Sequence, residues 1–288
     1  VQDVPRKRGV LHRHPRLRLG LLLSPPMLWL GVAYLTSLAV LLITAFWTTN
    51  TFTTEIERVW NLDNFRQLWN IDVYRTITIR TLWIAVLVTV VDALIAFPIA
   101  FFMAKVASRR WQRVLLIAVL MPLWASYLVK AYAWRAMFSG TGPLNWALDP
   151  IGLHLGYGLT ATVITLAYLW LPYMILPMYA GLERVPDSVL EASADLGAKG
   201  GTTIRRVVLP ILWPALFAGS IFTFSLTLGD YITVKIVGGT NQMIGNAVYD
   251  SALTGNNLPF AAALACVPVV IMLVYLAAVR RTGALDNL

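Results

Sequence analysis

The sequence predicts an all-α membrane protein with six spanning helices, and three observations carry that expectation. The 288-residue chain is 58% hydrophobic and only 13% charged, against the roughly 25% charged residues of a soluble domain. Its apolar residues gather into six stretches of the length, about 20 residues, that crosses a bilayer as a helix. Its basic residues cluster at alternate connections between those stretches, the asymmetry that orients membrane proteins.

The first stretch, residues 27–47, follows a basic tail holding Arg6, Lys7, Arg8, Arg13, Arg16 and Arg18. Leu19 to Thr54 carries no charge, far longer than the apolar region of about 7–15 residues in a cleaved signal peptide. A retained first helix is therefore expected. The other five stretches are 79–106, 114–138, 159–182, 207–234 and 259–279. None resembles another at a fixed offset, so the chain shows no internal duplication. Lys105, Arg109, Arg110 and Arg113 follow the second stretch. Arg184, Lys199, Arg205 and Arg206 follow the fourth, and Arg280 and Arg281 the last. Both termini then face the cytoplasm, N-in and C-in. The layout is a basic cytoplasmic tail (1–24), a six-helix domain (25–283) and a short cytoplasmic tail (284–288).

The outer connections differ in character. Residues 48–78 are polar but include Trp60, Phe65 and Trp69, which suits a small amphipathic cap at the interface. Residues 139–158 open with Gly140-Thr-Gly-Pro143, a turn signal. Residues 235–258 hold Gly238-Gly239 and then an apolar run, 244–253, that either dips toward a pore or remains a solvated loop.

The longest polar interruption between late spans is "EASADLGAKGGTTIRRVVLP", Glu191 to Pro210, on the cytoplasmic side. Ser188 and Glu191 have the spacing of a capping box at a helix start. Val189, Ala192, Ala194 and Leu196 suit a short helix, and Gly197 a terminator that accepts a left-handed conformation. Gly200-Gly201 would let the chain reverse, Thr202 or Thr203 would cap a second helix, and Pro210 would kink it on entry to the membrane. Small side chains at Ala192, Ser193 and Ala194 would let another protein approach the backbone closely. A helix lying on the bilayer surface is the competing reading of the same spacing.

Glu191-Ala192-Ser193, a glycine six residues after the glutamate, and Val207-Val-Leu-Pro210 starting ten residues after that glycine resemble the EAA loop of ABC importer permeases. The resemblance spans about 21–283. "MPLWASYLVKAYAWRAMF" (121–138), "LPYMILPMYAGLERVPDSVLEASADLGA" (171–198) and "LGDYITVKIVGG" (228–239) are similar to the spermidine/putrescine branch, and the basic N-terminus to the first of its two permeases. Ser193 stands where a second alanine is usual, Ile204 where a larger aromatic is expected and Lys130 where arginine is frequent. The resemblance implies the type I ABC importer permease fold in a bacterial inner membrane. It also implies that the loop 183–210, with Glu191, Ala192, Ser193, Ala194, Asp195, Leu196, Gly197 and Ala198, docks on a cytoplasmic ATPase. The implied partners are a second permease in a heterodimer, two ATPase subunits that carry ATP and Mg, and an external solute-binding protein.

Other chemistries find little support in the residues. A phosphate-binding GxxxxGK[ST] loop is missing, and the nearest match at 197–203 has the wrong spacing. His12, His14 and His154 lack carboxylate partners at ligand spacing, so neither a metal nor a cofactor is expected on this chain. Tyr249-Asp250 and Gly229-Asp230 only superficially suggest an intramembrane aspartyl protease. The lone Cys266 suits a packing role. The net charge of +9 reflects the cytoplasmic loops, so no nucleic-acid partner is expected. A single-chain secondary transporter is the rival class, although such folds usually carry internal repeats.

Acids inside spans are costly and tend to mark pathways. Asp92 in the second span and Asp230 near the outer end of the fifth are the candidates. Trp124, Tyr127, Tyr132, Trp134, Tyr168, Tyr173 and Tyr231 are the aromatic residues of the same regions. Carboxylates beside aromatic faces suit an aliphatic polycation. The alternative is that Asp230 pairs with Lys130 and Asp92 bonds a neighbouring helix. Amino acids, sugars and phosphate esters remain open as solutes.

Overall fold

The computed structural model describes residues 15–50 and 53–281, with side chains from residue 19 onward. Arg6, Lys7, Arg8, Arg13, His12, His14 and the tail 284–288 lie outside the described residues.

The chain opens with α1 (Pro15–Trp29), a wide turn at Leu30–Leu35 and α2 (Thr36–Thr44). Leu19–Thr44 is long and apolar enough to cross a membrane, yet almost none of it is buried against the rest of the chain. Only its end is moored, through Ala45 packed with Ala262 and Ala263. The expected outer cap takes shape as a two-stranded hairpin, β1 (Thr48–Thr49) with β2 (Ile56–Glu57), followed by α3 (Asp63–Asn70). Phe65 packs against Phe46 in a tilted arrangement, 5.2 Å between centroids. Buried Asn64 donates to the carbonyls of Ala45 at 2.9 Å and Trp47 at 2.8 Å, ending the first span without orphan acceptors.

α4 (Asp72–Phe101) is the longest helix and runs into a wide turn at Phe102–Val106. Pro98 lies inside it and removes one donor from the ladder. The third span departs from the expected single helix. α5 (Arg109–Trp124) and α6 (Tyr127–Met137) meet at 93°. Pro122 precedes the break, and Ala125 and Ser126 are extended, with ψ of 141° and 134°, which no continuous helix allows. Pro143 then occupies the first turn of α7 (Pro143–Leu148), where its missing N–H costs nothing. Asn145 closes this outer loop by bonding Ser139 and the Leu155 backbone.

α8 (Leu159–Glu183) leads to the short helices α9 (Asp187–Asp195) and α10 (Gly200–Thr203), a wide turn at Ile204–Val208 and α11 (Leu209–Leu228). The fifth span also ends earlier than expected, at Leu228, and α12 (Ile232–Val237) starts after a break. α13 (Ile244–Tyr249), a wide turn at Asp250–Thr254 and α14 (Leu258–Arg281) complete the described chain. The solvated-loop reading of 244–253 is not what forms. Ile244 is buried with Ile77 and Phe260, and its amide donates to Thr81 Oγ1 on α4 at 2.9 Å.

The centre is the trio α4, α8 and α11, whose shared core includes Ala96, Ala100, Met174, Met178 and Leu212. In hydrocarbon there is no water to expel, so close packing supplies the attraction between helices. Gly219 on α11 shows how close that packing is. A Cβ there would lie 2.7 Å from Met174 Sδ and 3.2 Å from Met174 Cα on α8.

Candidate functional site

On the cytoplasmic side the polar interruption is a compact elbow. Its first helix starts at Asp187, directly after extended Pro186 (ψ 140°) and without a side-chain cap. This corrects the capping box expected from Ser188 and Glu191: the helix begins two residues too early for Ser188 to cap it. Asp187 occupies the first turn instead, where a negative charge is favoured by the helix dipole. Lys105, at the end of the second span, reaches across to donate to Asp187 Oδ1 at 2.7 Å and to the Val185 carbonyl at 2.6 Å. Its side chain is almost wholly buried. The base of the elbow is thus tied to the end of the second span, a contact that sequence reading missed.

The turn that ends α9 is stereotyped. Gly197 has φ +75°, its amide donates to Ala194 O at 2.8 Å, and the Ala198 amide donates to Ser193 O at 3.1 Å. Those two bonds make a Schellman motif, which consumes carbonyls that the helix end leaves unpaired. The turn holds Leu196 out at 88% exposure. Glu191, Ala192, Ala194 and Asp195 are exposed beside it, and Ala198 is half-buried. Ser193 faces inward, and its hydroxyl meets Thr203 Oγ1 at 2.8 Å. Thr203 therefore braces the elbow and does not cap the second helix. Gly200 and Gly201 also differ from expectation, because they form the first turn of that helix while the chain reverses before them. Gly200–Leu228 then rises without interruption into the membrane.

On the outer side, the break after α11 is organised by Asp230. One carboxylate oxygen accepts from the Thr233 amide at 2.9 Å, an otherwise unpaired donor in the first turn of α12. The other accepts from the Tyr127 hydroxyl and from Thr233 Oγ1 at 3.3 Å. A side chain that bonds local backbone in this way competes with helix continuation, which accounts for the early end of the fifth span. The alternative partner, Lys130, makes no ion pair among the described residues.

Tyr127 stacks on Trp170 at 5.8 Å, Trp170 meets Tyr173 at 6.0 Å, and Tyr173 meets Phe222 at 6.3 Å. Trp134 belongs to a second cluster, with Tyr168 at 5.4 Å and Phe138 at 5.5 Å. Tyr231 stacks on Tyr249 at 4.9 Å. Trp124 and Tyr132 join none of these groups and are exposed. Asp92 is fully buried, and neither of its oxygens has a hydrogen-bond partner among the described residues. The alternative that it bonds a neighbouring helix is not realised here.

With the geometry in view, comparison with known proteins adds lineage. Residues 96–281 match the family described as "binding-protein-dependent transport system inner membrane component". The inner membrane ABC transporter permease protein YdcU of Escherichia coli is 43% identical, covering 97% of this chain and 94% of that protein. The spermidine/putrescine transport system permease protein PotB of Haemophilus influenzae is 29% identical over 78% of this chain and 80% of its own length. Among solved structures, a bacterial ABC transporter that imports the acidic polysaccharide alginate aligns with a TM-score of 0.68 and 20% identity, over 93% of this chain and 96% of that one. The MetNI methionine ABC transporter aligns at 0.55 and 18% identity, over 74% and 97%.

Proposed function

This chain belongs to the family of binding-protein-dependent transport system inner membrane components, and from that premise we propose that it imports polyamines as half of an ATP-driven pathway. It is a multi-pass inner-membrane ABC importer permease subunit with the type I fold. As a permease subunit it is not itself an enzyme. In this reading ATP and Mg are held by two cytoplasmic ATPase subunits. A second permease completes the pathway, and an external binding protein delivers the solute.

The elbow is the observation that carries the reading. A single large apolar side chain, Leu196, stands almost fully exposed at the tip of a turn locked by backbone bonds. Packed into a groove of an ATPase, it would gain about 1.5–3 kcal/mol from burial of its side chain. The helix behind it continues into the central trio, so movement of the tip reaches α11 directly. ATP drives transport by population shift: nucleotide must favour one arrangement of the ATPases, and the elbow passes that preference to the cavity.

Polyamine as the solute is supported by the PotB relatives at 28% and 29% identity and by Asp230 bonded to the hydroxyl of Tyr127, whose ring stacks on Trp170. Asp92 contributes in this reading only if another conformation opens the central trio. Trp124, Tyr132 and Trp134 would serve at the margin of the path. The test is uptake by the reconstituted assembly, with spermidine and putrescine competing against amino acids, sugars and phosphate esters. Competition by polyamines alone supports the reading, and preference for any other class overturns it.

A further inference from the structure

Lys235 lies on α12, five residues after Asp230, and its ammonium takes part in a small cluster that the elbow and the Asp230 site do not use. Its Nζ sits 4.2 Å from the centre of the Tyr249 ring and 3.9 Å from Asp250 Oδ1. Tyr249 is backed by Tyr231, stacked at 4.9 Å with an interplanar angle of 19°. Gln242 Nε2 donates to the second Asp250 oxygen at 3.3 Å, which orients the carboxylate. Beside the tyrosine pair lies a cavity of about 400 Å³ lined by Tyr231, Tyr249, Gly245, Val248 and Leu253.

We propose that Tyr249, Tyr231 and Asp250 form an outer site for a primary alkylammonium group, occupied in this conformation by Lys235 as a tethered stand-in. The inference rests on the polyamine reading and deepens it. A lysine side chain, four methylenes ending in an ammonium, is putrescine less one of its two ammonium groups. The cluster therefore already displays a ring face for the cation and a carboxylate beside it, and the same two tyrosines border an apolar recess that methylenes could enter. The Lys235 ammonium is too far from Asp250 for a direct hydrogen bond. Both side chains are about half exposed, and exposed pairs of this kind are weak. Lys235 is thus held loosely enough to be displaced. A tethered competitor acts at an effective concentration on the order of millimolar, so it screens out weak cations and yields to a diamine that uses both the carboxylate and the recess.

The test uses the assembled transporter purified in detergent, with putrescine binding followed by calorimetry, and in parallel the same assembly in vesicles with labelled putrescine. Lys235→Met keeps the stem but removes the competitor, and it should tighten putrescine binding about two- to fivefold, the range set by an exposed cation–π contact. Tyr249→Leu and Asp250→Asn should weaken it by a similar or larger factor, while Tyr249→Phe, which keeps the ring face, should leave it unchanged. Butane-1,4-diol, the uncharged counterpart, should give no heat. If Lys235→Met leaves putrescine affinity unchanged or weaker, or if Asp250→Asn binds as the parent does, the site is not there. Absence of any putrescine heat overturns it equally. Vesicles that take up no putrescine overturn the polyamine reading, whichever way the binding result falls.

Discussion

The Ser193 and Thr203 hydroxyls meet at 2.8 Å, joining the two short helices of the elbow side to side. A neutral hydrogen bond of this kind contributes about 0.5–1.5 kcal/mol, enough to matter in a lever that must move as one piece. Ser193→Ala and Thr203→Val should each lower solute moved per ATP hydrolysed, with normal membrane levels. The double variant should be no worse than either single one. Additive losses would mean the two hydroxyls act separately.

Gly197 has φ +75° and open space where a Cβ would go. A β-branched residue there is penalised by backbone strain, about 1–3 kcal/mol, and by no clash. Gly197→Val should therefore reduce uptake and ATPase co-purification without affecting insertion. Leu196→Asp changes no contact within this chain and should release the ATPase more completely. Glu191→Lys acts only at the exposed surface, because Glu191 forms no cap. Its effect on co-purification should shrink as ionic strength rises.

Lys105 donates to two acceptors at the base of the elbow. Hydrogen bonds from charged groups contribute about 1.5–3 kcal/mol, reduced here because Asp187 is largely exposed. Lys105→Met should loosen the elbow against the second span. Hydrogen exchange of 187–195 is the readout, and it should quicken while the central trio stays protected.

Asp230 serves both the fold and, in the proposed reading, the solute. Asp230→Asn keeps an oxygen for the Thr233 amide but removes the charge. It should lower polyamine uptake more than basal ATP hydrolysis. Tyr127→Phe removes the hydroxyl that the carboxylate accepts and should cost about 1–3 kcal/mol in thermal stability of the assembly. Equal losses of uptake and ATP hydrolysis in Asp230→Asn would leave Asp230 a structural residue only.

Asp92 is buried without a partner among the described residues, and an unsatisfied buried polar group costs about 1–3 kcal/mol. Asp92→Val should raise the melting temperature of the assembly. Unchanged uptake in that variant would take Asp92 off the solute path, whereas lost uptake with raised stability would mark a residue kept for transport.

The spans were legible because hydrocarbon demands long apolar runs, although the first, expected at 27–47, runs over Leu19–Thr44, because an apolar run without charges does not mark where its helix starts. The elbow was legible through Gly197, since a glycine after a short helical pattern has one common use. Breaks were harder. Nothing in the apolar run around Ala125 and Ser126 announces a 93° bend, because Pro122 is equally compatible with a mild kink. Span five looked longer than it is because Tyr231 to Val234 continue its apolar character, while the side chain that ends it, Asp230, depends on Tyr127 about a hundred residues away. Long-range partners such as Lys105 with Asp187, or Thr203 with Ser193, leave no local pattern. The aromatic residues separated for different reasons: Trp124 lies across the bend from Tyr127, and Tyr132, on the same helix as Tyr127, is turned about 140° away from it by the helix itself.

The first helix carries a consequence for the lipid around it. At 1.5 Å per residue, the 26 residues of Leu19–Thr44 extend about 39 Å, against a hydrocarbon layer of about 30 Å. A stretch that long must tilt or thicken the bilayer locally. Among the described residues only its C-terminal part is moored, against α14, so the N-terminal part is free to set its own angle. A thinner membrane would swing this arm further over and leave the α4, α8 and α11 trio undisturbed. The mismatch between chain and bilayer is absorbed at the periphery, away from the helices that hold the acids.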